Sequence, residues 1–255
     1  MRTKVLLAKL SKRFPKRIAK KYHDYVGLMA GKLPENVDKI LLCLDFDEEV
    51  YLVAEKTRPD LIITHHPFIY GTKYHVLKSY ERKRVLYEKI EKLNIPVYSM
   101  HTNFDEGKGG MNDALASALG LENVFAPEQN PMMRCGYLKK PLPIKEFARH
   151  AKKSFGVEYG LLIDSGKETI SSVGIIGGGG SRDWTVAKEL GMDIYISGDA
   201  SHHVRRDIVG ASYNYLDLPH EIENIFMPTM KNIIQSYDSA LEIAVVSHEK
   251  EPQVI

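Results

Sequence analysis

The sequence contains little cysteine, and its charge is almost balanced. Cys43 and Cys135 are the only cysteines among 255 residues, and they lie far apart and outside any metal-binding spacing. A cysteine-ligated structural zinc site is therefore not expected, and a reducing compartment is the simplest setting. The formal net charge of +2 is too small to indicate a nucleic acid or a membrane as the partner.

The chain also lacks an apolar run long enough to span a bilayer, and its N-terminus lacks the apolar core and cleavage site of a signal peptide. We therefore expect a cytoplasmic protein without a membrane partner. One basic cluster lies near the N-terminus and includes Lys12, Arg13, Lys16, Arg17, Lys20 and Lys21. Such a cluster usually forms a solvated helix face, and contact with phosphates is the alternative.

The most distinctive short motif is the sequence Thr-His-His-Pro at residues 64–67. It follows an apolar run at 61–63, so it lies where a strand is predicted to end. Neighbouring strand residues point to opposite faces, so His65 and His66 can serve one site only if the backbone turns there. Pro67 favours such a turn. A pair of metal ligands is one interpretation, because histidine is the commonest ligand, and two surface histidines in a loop are the other.

The order of the predicted elements occurs twice along the chain. An apolar strand at 39–45, a helix, and a strand ending at 64 correspond at one fixed offset to a strand at 172–178, a helix, and a strand ending at 197. Both copies continue through a helix to a further strand that is followed by a histidine and an acid. Strands that alternate with helices predict an α/β fold of two related lobes with mostly parallel sheets.

The boundary between the lobes is predicted from a segment without periodicity. Residues 126–134 contain two prolines and have the character of a linker, and the pattern of helices and strands restarts after them. We therefore predict an N-terminal α/β lobe at 1–126 and a C-terminal α/β lobe at 127–255.

Ligand-type side chains are concentrated after the predicted strands. Binding sites in open α/β sheets lie at the carboxyl ends of strands. Imidazoles and carboxylates together suit divalent zinc, iron, manganese, nickel or cobalt. The residues of this kind are His65, His66, His101, Asp105, His202, His203, His220 and Glu223. His202 and His203 either line the site, cap a turn or orient a ligand.

A glycine run at 177–180 follows one of the predicted strands. It lacks the lysine and the serine or threonine that complete a phosphate-binding loop, and it lacks the full dinucleotide-binding glycine pattern. A tight turn from a strand to a helix is therefore the better interpretation.

Four segments resemble the successive signatures of the NIF3-like family, also known as GTP cyclohydrolase I type 2-like or DUF34. They are Thr-His-His-Pro at 64–67, His-Thr-Asn-Phe-Asp at 101–105, Ser-Gly-Asp at 197–199 with His-His at 202–203, and His-Glu-Ile-Glu at 220–223. They occur in order over nearly the whole chain, whose short length resembles members without an inserted middle domain. The resemblance implies two α/β lobes with a dinuclear metal site in the cleft between them.

Position by position, the resemblance implies that the metal ligands are His65, His66, Asp105, His220 and Glu223. Five ligands with bridging carboxylates suit two ions roughly 3.5–4 Å apart. Glu221 is the alternative to Glu223, which is preferred because a spacing of three returns to the helix face of His220. His101 is the candidate catalytic proton shuttle, since imidazole titrates near neutrality.

These residues favour a metal-dependent hydrolase with two divalent metal ions (zinc, iron, manganese, nickel or cobalt) as cofactors. The resemblance implies the addition of water to a guanine nucleotide or a related small-molecule substrate, and it implies a homohexameric ring. A non-catalytic metal-binding scaffold that interacts with other proteins is one alternative. Nucleic-acid binding through the basic cluster is another, and its affinity must fall as salt rises.

Overall fold

The structure is a computed structural model that describes residues 1–249. The helices in this range are α1 (Thr3–Arg13), α2 (Lys16–Lys21), α3 (Glu48–Thr57), α4 (Lys73–Ser79), α5 (Glu81–Leu93), α6 (Thr102–Glu106), α7 (Met111–Ala118), α8 (Ile144–Phe155), α9 (Trp184–Glu189), α10 (His202–Gly210) and α11 (Phe226–Tyr237). The strands are β1 (Gly27–Ala30), β2 (Lys39–Cys43), β3 (Leu61–Thr64), β4 (Val97–Ser99), β5 (Leu121–Phe125), β6 (Arg134–Pro143), β7 (Leu161–Asp164), β8 (Thr169–Ile175), β9 (Ile194–Ser197), β10 (Asn214–Asp217) and β11 (Glu242–Val245). Two 3₁₀ helices span Ser181–Asp183 and His220–Ile225.

The described residues form two compact units, each with its own sheet. The first unit comprises Met1–Gly110 and Phe226–His248, and the second comprises Met111–Ile225. Each unit combines strands with helices, and five of the nine strand pairings are parallel. The predicted α/β fold with mostly parallel sheets is therefore confirmed.

The first unit is built on a five-stranded sheet in the order β1-β4-β3-β2-β11. All neighbours pair in parallel except the edge strand β1, which is antiparallel to β4. Strand β3 is the apolar run at 61–63 with Thr64, and all of its residues are buried. A strand that is buried on both faces reads as a continuous apolar run, which is why the sequence identifies it.

The second unit contains a six-stranded sheet in the order β5-β6-β8-β9-β10-β7. Its centre, β8-β9-β10, is parallel, and antiparallel strands flank it on both sides. The core on one face includes the aromatic rings of Tyr195 and Tyr215, which are fully buried. The parallel centre places the carboxyl ends of three strands at one edge of this sheet.

The entry into β3 is held by a turn that Asp60 organises. Its Oδ2 accepts hydrogen bonds from the backbone N–H groups of Asp38 and Lys39, both at 2.8 Å. In return, the N–H of Asp60 donates to the carbonyl of Lys39 at 2.9 Å. One side chain thereby ties the start of β2 to the start of β3.

The second unit repeats this arrangement at Asp193, which precedes β9. Its Oδ2 accepts the N–H groups of Ser171 and Ser172 at 2.8 and 3.0 Å, and its Oδ1 pairs with the ammonium of Lys167. Burial raises the pKa of Asp193, but Lys167 and the two N–H groups lower it more strongly, so the net pKa lies below its usual value. The positions 60 and 193 are related by the offset of the predicted repeat, which is thus confirmed down to single hydrogen bonds.

Several elements differ from the sequence-based prediction. The glycines at 27 and 31 are typical of a turn, but residues 27–30 form β1. The apolar spacing at 78–93 indicates one helix, but the stretch divides into α4 and α5 at Tyr80. Strands β5, β6 and β11 had no predicted counterpart. These are edge or flanking strands, whose stability comes from pairing with a neighbour rather than from a recognisable local pattern.

The two units do not divide the chain at the predicted boundary of residues 126 and 127. The contacts assign Phe226–His248 to the first unit, where β11 pairs in parallel with β2. Residues 126–133 instead join β5 to β6, two neighbouring strands of one sheet. A break in periodicity marks a loop, but it does not reveal which sheet a later strand joins. None of the helices described here is both long enough and apolar enough to cross a membrane.

Candidate metal centre

Three histidines of the first unit meet at the carboxyl end of its sheet. His65 and His66 follow β3, and His101 follows β4, its parallel neighbour. The ring centroids of His65 lie 4.9 Å from His66 and 5.1 Å from His101. Each residue offers a ligand atom, and these atoms all lie within 4.8 Å of one another. Parallel pairing therefore brings together residues that are 35 positions apart in the sequence.

The backbone turns sharply after β3, as the two adjacent histidines require. The N–H groups of His65 and His66 both approach the carbonyl of Leu44, at 3.1 and 3.0 Å. The hydroxyl of Thr64 donates to the carbonyl of His66 at 2.8 Å and also contacts the hydroxyl of Ser99. This turn ends the strand alternation and lets neighbouring side chains face one site.

All three histidines use Nδ1 for a structural hydrogen bond. Nδ1 of His65 lies 2.9 Å from the carbonyl of Met100, which can only accept. Nδ1 of His66 lies 2.8 Å from Asp45 Oδ2. These acceptors place the proton of each neutral ring on Nδ1, as the partners require. The lone pair is left on Nε2, the atom that a histidine with such a partner presents to a metal.

His101 follows the same pattern through Asp24. Its Nδ1 lies 2.8 Å from Asp24 Oδ2, which also accepts the hydroxyl of Thr102 at 2.6 Å. Burial raises the pKa of Asp24, but His101, Thr102 and the N–H of Tyr25 stabilise the anion and bring the net pKa below its usual value. Asp24 is thus a fixed anion that orients His101.

Asp105 supplies a carboxylate to the same group. It lies in α6, where its N–H donates to the carbonyl of His101 at 3.0 Å. Its Oδ1 lies 3.4 Å from Nε2 of His65, and both atoms are buried. The rings of Phe104 and Phe226 pack beside His65. Two electron-pair donors facing each other in apolar surroundings fit a cation, so the residues present suit a divalent metal.

The second unit holds a smaller donor set on the 3₁₀ helix His220–Ile225. Such a helix has three residues per turn, so side chains three apart lie above each other. Nε2 of His220 accordingly lies 3.1 Å from Oε2 of Glu223, and Nδ1 lies 2.6 Å from Asp199 Oδ2. His220 therefore also turns Nε2 away from its structural partner. Glu223 is buried, and Glu221 instead lines a cavity with Asp199.

The glycine run at 177–180 packs against this second donor set. Gly178 has φ +60, and a Cβ there would lie 2.4 Å from Glu223 Oε1 and 3.1 Å from Cε1 of His220. The N–H of Gly177 donates to Oδ1 of Asn112 at 2.8 Å. The run is a turn after β8, as its composition indicates, and it also shapes the space that Glu223 occupies.

Replacing Gly178 with alanine should displace the Glu223 carboxylate and lower metal affinity about tenfold or more, the range seen when neighbours of metal ligands are changed. Gly191→Ala is the matched control. Gly191 has φ +75, so alanine is strained there too, but a Cβ would meet nothing within 4 Å. Metal titration of both variants is the measurement, and equal losses of affinity would contradict a specific role for Gly178.

His202 and His203 stand apart from these donors. Both are exposed at the start of α10, and His203 contacts only the hydroxyl of Ser201 among the hydrogen bonds described. Neither belongs to a potential ligand group within residues 1–249. No sequence pattern marks Asp24, and the sequence marks Asp45 only as the end of a strand and Asp199 only as part of the Ser-Gly-Asp motif. Only their contacts with ring nitrogens identify them as orienting groups.

Comparison with known proteins supports the resemblance noted in the motifs. A family model described as Duf34/NIF3 (NGG1p interacting factor 3) matches residues 1–252. A Clostridium perfringens protein named GTP cyclohydrolase 1 type 2 homolog is 32% identical over 237 residues, which cover 90% of each chain.

Solved structures share the fold. The Bacillus cereus protein related to NIF3 matches with a TM-score of 0.87 at 22% identity, covering 100% of this chain and 99% of the other. Reduced HcgD from Methanocaldococcus jannaschii matches with a TM-score of 0.83 at 26% identity, covering 97% and 98%. With a family model matching nearly every residue and a relative above 30% identity, the chain belongs to the Duf34/NIF3 family.

Proposed function

We propose that this protein binds two divalent metal ions and uses them to hydrolyse a small substrate such as a nucleotide. One observation carries the proposal. Four histidines in two units each direct Nδ1 to an acceptor, and two of them have Nε2 within 3.4 Å of a carboxylate oxygen. A histidine that binds a metal almost always directs its other ring nitrogen to a carboxylate, a backbone carbonyl or water, as these four do.

The ligands in this proposal are His65, His66 and Asp105 from the first unit and His220 and Glu223 from the second. Nitrogen and oxygen donors of this kind suit zinc, iron, manganese, nickel or cobalt. Bound ions of this kind polarise the attacked group of a substrate and lower the pKa of water. In this proposal both donor sets are needed for the full complement of two ions.

His101 has a separate role in the proposal as the group that moves a proton. Its Nδ1 is held by the Asp24 anion at 2.8 Å, so its ring cannot rotate freely and Nε2 keeps one orientation. Nε2 is then the atom that accepts a proton from the attacking water and returns it to the leaving group. The side chain is 23% exposed, so protons can exchange with solvent.

The substrate class follows from relatives rather than from a pocket shaped for a purine. Several proteins similar to this chain are named GTP cyclohydrolase 1 type 2 homolog. That name supports hydrolytic attack by water on a nucleotide ring as the first reaction to test. The proposal also includes a cytoplasmic location and a homohexameric ring. Light scattering measures the mass of the oligomer.

Metal-loaded protein should turn over at least one member of a panel of nucleotides and phosphate esters, and it should contain two ions per chain. The measurement combines elemental analysis with product detection by mass spectrometry. Protein stripped by a chelator is the control, and activity should return when the metal is restored. Two bound ions without any turnover across the panel would instead support the non-catalytic scaffold.

A further inference from the structure

A basic cavity lies beside the histidine cluster of the first unit. It has a volume of about 330 Å³ and lies between α2, the beginning of β1 and the segment from Ile69 to Lys73. Specific small-molecule sites start at roughly this size. The cavity is not part of the proposed metal site, because it contains none of the five proposed ligands.

The charge of the cavity is strongly positive. Lys16, Lys20 and Lys73 line it, and Asp24 is its only acid. Within residues 1–249, no carboxylate forms an ion pair with these three lysines, and Asp24 is already engaged by His101. Three ammonium groups around one small space repel each other, and an anion such as phosphate relieves that repulsion.

Lys16 is held in place rather than free in solvent. Its ammonium lies over the ring of Tyr98, 5.4 Å from the centroid. A Cβ on Gly27 would lie 2.4 Å from Lys16 Nζ, and Gly27 has φ +110. Because glycine has no Cβ, the space that the ammonium of Lys16 occupies stays free. Lys73 is also restrained, since it donates to the hydroxyl of Tyr87.

The remaining lining is apolar and aromatic. Tyr25 is 40% exposed, and its ring meets that of Tyr70 edge to face with centroids 5.6 Å apart. The apolar lining also includes Val26, Leu28, Met29 and Ile69. An exposed aromatic ring next to ammonium groups suits a ligand with a planar ring and an anionic group, because rings stack and phosphates pair with lysine.

Asp24 connects the cavity to His101. Asp24 is one of the residues that line the cavity, and its Oδ2 lies 2.8 Å from Nδ1 of His101. We infer that the cavity binds the phosphate of a small, ring-bearing ligand and thereby holds that ligand beside His101. Phosphate binding needs no metal, and only the position of the reacting end rests on the proposed function.

The test is calorimetric titration of 5′-GMP, guanosine and inorganic pyrophosphate into metal-loaded and chelator-treated protein. Both phosphate compounds should bind with or without metal, and guanosine should bind more weakly than 5′-GMP. The double variant K16Q/K20Q should weaken both phosphate compounds roughly tenfold, because each lysine contributes a charge-assisted hydrogen bond. K4Q/K12Q is the matched control, since Lys4 and Lys12 are exposed on α1 and the net charge falls equally.

Variants of Tyr25 test recognition of the ligand's ring separately from recognition of its phosphate. Tyr25→Leu should weaken 5′-GMP several-fold and leave pyrophosphate unchanged, whereas Tyr25→Phe should preserve both affinities. Equal effects of K16Q/K20Q and K4Q/K12Q would overturn the inference. So would failure of both phosphate compounds to bind at millimolar concentration, or binding that the chelator removes and K16Q/K20Q does not change. Because metal content is measured in every sample, loss of the metal centre is recognised separately.

Discussion

His65→Ala should lose metal binding and, with it, all metal-dependent turnover. His65 is fully buried, its Nδ1 is held by the Met100 carbonyl, and its Nε2 faces Asp105 at 3.4 Å. Changing mere neighbours of metal ligands typically lowers affinity 10–100-fold, so losing a ligand should lower it by more than about a hundredfold. Elemental analysis and metal titration are the measurements.

Two further variants distinguish loss of a metal ligand from loss of the fold. Removing a buried ring can also destabilise the fold, so His65→Gln retains an N–H that can reach Met100 without providing an imidazole. His75→Ala removes an exposed histidine of α4 as a control. Free metal a thousandfold above its Kd should stabilise the wild type by roughly 4 kcal/mol, and neither His65 variant should respond. A folded His65→Gln protein with a full complement of metal would refute the assignment.

His101→Ala should retain its metal but lower kcat by roughly a hundredfold to ten-thousandfold, the usual contribution of a positioned acid or base. Its ring nitrogen lies close to those of His65 and His66, yet the Asp24 contact fits a group that holds and moves a proton. Steady-state kinetics and metal content must be measured on the same preparations. The KM should change much less than kcat, because the ring acts in the chemical step.

Added imidazole provides a readout that a merely structural role does not predict. The side chain of His101 is partly exposed, so a small base can enter the space left by His101→Ala and restore part of kcat. His75→Ala should show neither the loss nor the rescue. If His101→Ala loses a stoichiometric ion instead, His101 is a ligand and the proton must be moved by another group.

The parallel centres of both sheets were predictable because their strands are buried on both faces. Lys39–Cys43 and Leu61–Thr64 are short apolar runs bounded by polar residues, a local pattern that survives in any context. Strand β1 lacked such a pattern: Leu28 is 44% exposed, and Gly27 has a positive φ. Pairing with β4 stabilises β1, and no local sequence pattern identifies β4 as its partner.

The donor residues were predictable by type and by place, since histidines and acids after strands are recognisable in one dimension. The tautomer of each histidine ring was not predictable. The proton on Nδ1 of His66 depends on Asp45, and that of His220 depends on Asp199, acids that are 21 residues away in each case. The role of Gly178 likewise depends on the Glu223 side chain, which is distant in sequence and in contact in the fold.

Local physics therefore accounts for the repeat, the α/β class and the motifs that mark the Duf34/NIF3 family. Apolar runs, prolines and strand-end histidines act through their immediate neighbours, so they can be recognised along the chain. Three features depend on contacts between distant segments: the sheet that β11 joins, the nitrogen that each histidine presents, and the meeting of Lys16 and Tyr25 with Lys73 around one cavity. Chain folding alone brings such segments together, so these features exist only in the tertiary structure.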